Sequence, residues 1–88
     1  MYRILIECNG VTIEDGLAAA TDIEKEFVTH RSWWTEPRCQ YQEGKLLLSA
    51  ASDADPNGLA LLDEFGDCLV AYYPGVHGEV KILSVQMI

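Results

Sequence analysis

Positive charge is what this chain has least of: six Lys and Arg stand against fourteen Asp and Glu, a formal charge of −8. Affinity for nucleic-acid backbones comes largely from Lys and Arg neutralising phosphates, so nucleic acid is not an expected partner, and neither is an anionic membrane surface. Nor is there an apolar run approaching the roughly 18–20 residues of a membrane-spanning helix. No basic-then-apolar leader precedes the first strand-like segment. Cysteine is sparse and odd in number. Cys8, Cys39 and Cys68 fit neither a disulfide framework nor a zinc motif, and two of them fall in apolar stretches. Buried thiols in a reducing compartment are expected, with the cytoplasm as the location. No Gly-rich phosphate loop occurs, and Asn9-Gly10 alone is a turn.

What remains is a chain of 88 residues, 49% of them hydrophobic. That composition folds, and the length allows a single domain spanning 1–88 with one core. Its acidic surplus suits a basic protein partner or a divalent cation, and also serves to keep a small protein in solution.

Period-two patterning marks the first segment. Tyr2, Ile4, Ile6 and Cys8 face one way and Arg3 and Glu7 the other, which predicts a strand. Thr12 is an N-cap with Glu14 and Asp15 in the first turn, where the helix dipole favours acid. Ile13, Leu17, Ala20, Ile23 and Phe27 then form a helical stripe, with His30 and Arg31 at its C-terminal end. Pro37 disfavours further helix. Arg38 to Gln42 reads as an edge strand, Glu43-Gly44 as a turn, and Lys45 to Ser52 as a second strand.

Residues 53–73 admit two readings. As a helix, Asp55 caps it, Pro56 occupies the first turn, and Leu59, Leu62, Phe65 and Leu69 line the buried face. As strands, Asp55-Pro56-Asn57-Gly58 and Glu64-Phe65-Gly66-Asp67 are turns. The helix is preferred, at about 1 kcal/mol for Gly66. Pro74-Gly75 ends it, His77-Gly78 turns the chain, and Val80 to Met87 is the last strand. The order strand, helix, strand, strand, helix, strand resembles the ferredoxin-like plait: a four-stranded antiparallel sheet with two helices on one face. The alternative is one helix on a five- or six-stranded meander. In the plait the first and third strands are central, and Leu5, Leu47 and Ala51, with Leu83 and Val85, face away from the helices. That uncovered face is a candidate surface for a protein partner or for self-association, set against side chains too small or scattered to form a patch.

Asp53, Asp55, Asn57 and Gly58, followed by Glu64, resemble the calcium loop of EF-hand proteins. The resemblance implies side-chain oxygens from Asp53, Asp55 and Asn57, the backbone carbonyl of Leu59, and two oxygens from Glu64. The chain departs from that pattern at Ala60, where a branched apolar residue is usual, and at Pro56. A strand rather than a helix enters the loop, and no second loop pairs with it. A capped helix start needs the same Asp, Pro, Asn and Gly for conformational reasons alone.

Trp33 and Trp34 are candidate interface anchors, or one covers the core end while the other lies half-exposed. His30 and His77 read as helix-end and turn residues. Glu14, Asp15, Asp63 and Glu64 read as solvated helix residues rather than an acid–base pair. The expectation is a non-enzymatic interaction module, of inhibitor, immunity or regulatory type, for a basic protein. The alternative is a small-ligand or Ca²⁺-binding module.

Overall fold

The computed structural model describes residues 1–73 and 78–88. The expected stop at Pro74-Gly75 and His77 of the expected turn lie outside the described residues. The elements run β1 (Tyr2–Cys8), α1 (Ile13–His30), β2 (Thr35–Gln42), β3 (Lys45–Ser52), α2 (Leu59–Tyr72) and β4 (Val80–Met87). Every neighbouring strand pair is antiparallel, in the order β2-β3-β1-β4. This is the expected ferredoxin-like plait, with β1 and β3 in the centre. The meander is excluded because residues 59–72 coil into one helix.

Both readings of the segment before α2 are present at once. Asp55-Pro56-Asn57-Gly58 closes a turn through the Gly58 N–H to the Asp55 carbonyl (3.3 Å), and the helix follows. Pro56 therefore precedes α2 rather than occupying its first turn. Gly58 turns the chain at φ 75, and a Cβ there would press on Ile4, Val85 and Ile82 at 3.2–3.3 Å. Glycine is required twice over: for the left-handed backbone and for the close approach to the sheet. Gly66 differs, since a Cβ there would meet nothing within 4 Å.

The core lies between the sheet and the helices. Ile4, Ile6 and Cys8 of β1 and Leu46, Leu48 and Ala50 of β3 are fully enclosed there, as period two requires. From α1 come Ala19, Ala20, Ile23 and Phe27, and from α2 Leu61, Phe65, Cys68 and Leu69. The expected stripes hold at Ala20, Ile23, Phe27, Phe65 and Leu69 but not at the starts of the helices. Ile13, Leu17 and Leu59 are each more than half exposed, and their places are taken by Gly16, Ala19 and Leu61. Small residues bring α1 close to β2: a Cβ at Gly16 would collide with the Tyr41 ring. The Tyr41 hydroxyl donates to the Val11 carbonyl (3.0 Å) and accepts from the Gly44 N–H (3.2 Å). It thus ties the entry of α1 to the hairpin turn.

Two departures from regular strands matter. β2 starts at Thr35 rather than Arg38, with Glu36 at φ 48 where its register with β3 shifts. β4 shifts against β1 between Leu5 and Ile6, so Ser84 pairs with Leu5 and Ile82 with Ile6, leaving Leu83 extra. The shift corrects the expected place of Val85. It pairs with Ile4 and packs against the core instead of facing away. Among the described residues no helix is long and apolar enough to cross a membrane.

The helical state of 59–72 and the role of Gly58 give opposite expectations for two alanine substitutions. Gly66→Ala should raise the urea unfolding free energy by up to about 1 kcal/mol. Gly58→Ala should lower it by about 1–3 kcal/mol through backbone strain and crowding. A destabilising Gly66→Ala would contradict the helix.

Candidate functional site

Three side-chain groups stand out: a clasp at Glu64, a cap at Asp55, and a strapped sheet face. Glu64 projects from α2 toward the end of α1. Its Oε1 accepts from Arg31 Nη1 at 2.8 Å, and its Oε2 accepts from both indoles, Trp33 Nε1 at 3.2 Å and Trp34 Nε1 at 2.6 Å. One carboxylate therefore explains the Trp pair. Trp34 is buried at the end of the core, while Trp33 stays 62% exposed. Arg31 also lies over the Phe27 ring, 5.6 Å from its centroid. The Glu64 hydrogen bond raises the guanidinium pKa further above its ordinary value. The Arg31 Nε is buried with no hydrogen-bond partner among the described residues, 3.9 Å from Glu26 Oε1.

Asp55 is buried, with Oδ1 accepting the Ala60 N–H at 3.1 Å and Oδ2 the Leu61 N–H at 3.0 Å. Two otherwise orphaned amides of the first turn are satisfied by a side chain that lies before the turn rather than at the N-cap position. Asp53 is exposed, 3.8 Å from the N-terminal amine. Leu59 opens α2. Among the described residues no three His, Cys, Asp or Glu side chains converge as metal ligands would. Calcium in the Asp53–Glu64 loop would compete with Arg31 and both indoles for Glu64, and would have to share Asp55 with the two amides. Trp emission therefore reports directly on any ion that takes Glu64.

The sheet face opposite the helices is strapped by charge. Arg3 reaches from β1 across β3 to Glu36 of β2, with Nη2 3.1 Å from Oε2, and its Nη1 lies 3.4 Å from the Ser49 hydroxyl on the way. Ala51 pairs with Arg3 and Thr35 and is fully buried, so it is no contact residue for a partner. At the other end Glu7 takes Lys45 at 3.0 Å and Lys81 at 3.6 Å, joining three strands. The lysine stems cover Glu7, leaving it 5% exposed. The hydrogen bond from Lys45, aided by the charges of both lysines, holds its carboxyl below the ordinary value despite the opposing effect of burial. Leu5 and Leu47 lie half-buried between the two straps. These straps escaped the sequence because they form only once all four strands are in register. The visible signal was a lone Glu in β1 and a Lys near the start of both β3 and β4.

On the helical side Glu26 accepts from the Tyr72 hydroxyl (3.0 Å) and meets His30 Nδ1 (3.1 Å); the Tyr73 hydroxyl donates to Asp22 (2.8 Å). A cleft of about 240 Å³ lies here, lined by Asp22, Lys25, Glu26, Thr29, His30 and Tyr72. Burial, joined by the bond to Asp22, pushes Tyr73 up to about 12. All three cysteines are buried and unpaired. Burial pushes the Cys39 thiol up to about 12 and raises Cys8 and Cys68 as well, which makes them poor nucleophiles.

No protein-family model, curated protein or solved structure matches the chain.

Glu7 is the carboxylate whose fold-dependent pKa is easiest to isolate. Its folded pKa lies below the ordinary 4.5, so its contribution to stability is present above that pH and disappears as pH falls through the lower folded value. Glu26, lowered first by the Tyr72 hydrogen bond and next by that of His30, acts in the same window. Glu7→Gln should flatten the fall in melting temperature between about pH 5 and pH 3. A slope identical to that of the wild type would contradict the network.

Proposed function

We propose that this chain is a small, acidic, non-enzymatic interaction module whose helical layer docks on a basic surface of a protein partner, in the manner of an inhibitor, immunity or regulatory subunit. The observation that carries the reading is where the acid sits. The two helices hold eight of the fourteen acidic residues and only one of the six Lys and Arg, Lys25. Five of the eight, Glu14, Asp15, Asp22, Asp63 and Asp67, are exposed. The other three are engaged inward: Glu24 on the Cys39 N–H, Glu26 on Tyr72, and Glu64 in its clasp.

Apolar anchors stand among the free acids. Leu17, Val28 and Val70 are 61%, 59% and 74% exposed. Exposed apolar side chains on a layer with an acidic surplus suit a partner of the opposite sign: the charge speeds encounter and the apolar contacts slow release.

A binding comparison tests the proposal. Immobilised wild type and the triple variant Glu14→Gln, Asp63→Asn, Asp67→Asn would be exposed to native cell extract at about 50 and about 500 mM salt. The wild type should retain a basic protein at low salt and lose it at high salt, and the triple variant should retain about a tenth as much or less. Equal retention by the two, or retention indifferent to salt, would overturn the reading.

A further inference from the structure

The open sheet face carries charge opposite to that of the molecule as a whole. Four of the six Lys and Arg lie on it, one from each strand: Arg3, Arg38, Lys45 and Lys81. The register puts Arg38 beside Ser49, which Arg3 also touches, while Lys45 and Lys81 share Glu7. The cations thus form two groups, one at each end of the face. Arg3 and Glu7 are four residues apart on β1, so the groups are separated by about 14 Å along the strand. Arg38 is exposed and forms no ion pair among the described residues, and Lys45 and Lys81 are each half exposed. Leu5 and Leu47 form the floor between the groups.

The helical acids do not cancel this charge at a distance. The molecule measures 18 Å across its shortest axis, and a Debye length of about 8 Å at physiological salt screens the far side. What an approaching group meets is the face's own charge, four cations against Glu36 and Glu7, with Arg38 outside any ion pair among the described residues. We propose that this face binds an extended acidic segment of a partner protein, with carboxylates reaching the two cationic ends and aliphatic side chains resting on Leu5 and Leu47. The match is one of charge and of length, since four extended residues span the same distance. A second copy laid face to face would set cations over cations, which favours an acidic segment over self-pairing. Single-stranded nucleic acid needs aromatic rings for its bases as well as cations for its phosphates, and the floor here is aliphatic. This surface is separate from the acidic helical layer, so the module has two docking faces of opposite sign.

The probe is a fluorescently labelled peptide of eight residues, with glutamates flanking two central leucines, followed by anisotropy. The wild type should bind it saturably, with affinity falling at higher salt. Arg38→Glu should weaken binding by about tenfold, and Arg38→Gln by less, with far-UV circular dichroism unchanged. Asp63→Asn with Asp67→Asn, which alters the helical layer, should leave peptide binding within about twofold, so the two docking faces fail or succeed independently. No saturable binding at about 1 mM protein would overturn the proposal. So would equal binding by Arg38→Glu, tighter binding of an oligouridine of the same length, or a doubled solution mass without peptide.

Discussion

One carboxylate joins three separate parts of the chain. Glu64 stands on α2, Arg31 follows the last turn of α1, and the two indoles belong to the link that leads into β2. Arg31 Nη1 and the Trp34 indole are partly buried and would cost free energy without a partner, and both are satisfied at this one point, with the exposed Trp33 indole joining them. The clasp fixes how α1 and α2 lie together over the sheet. It also decides where β2 begins, because Trp34 is buried directly before Thr35. Removing Glu64 would take the acceptor from Arg31 Nη1 and from the buried Trp34 indole at once.

The same clasp sorts the acidic residues. Those drawn inward, Glu24, Glu26 and Glu64, hold the helices to the sheet and to each other. Those left outside form a free acidic surface with exposed aliphatic residues among them. The plait then separates this layer from the opposite face, where the chain's few cations collect around Glu7 and Glu36. A net charge of −8 is therefore a poor description of the surface. The molecule is acidic on one side and weakly basic on the other.

Much of the fold could be read in advance, because strands and helices announce themselves through period. Tyr2–Cys8, Lys45–Ser52 and Val80–Met87 begin and end where their alternation and turn residues say they should. The helix stripes were read correctly at Ala20, Ile23, Phe27, Phe65 and Leu69 and missed at their N-terminal ends. Gly16 and Ala19 pack inward there because close approach to the Tyr41 ring and to the sheet needs small residues, whereas hydrophobicity alone pointed to Ile13 and Leu17. Val85 was misplaced because a single extra residue at Leu83 reverses the alternation after it. The side-chain groups were hardest to foresee. Asp55, Pro56, Asn57 and Gly58 serve a turn and a cap as readily as an ion, and nothing local says that Glu64 reaches Trp33 and Trp34, some thirty residues away.

A double-mutant cycle of Glu64→Gln and Trp34→Phe, followed by urea unfolding, tests the clasp most directly. The two changes should couple by about 1 kcal/mol or more, the double variant losing less stability than the two single losses added together. Additivity to within about 0.3 kcal/mol would mean that carboxylate and indole act independently, and that something other than Glu64 holds the helices in place.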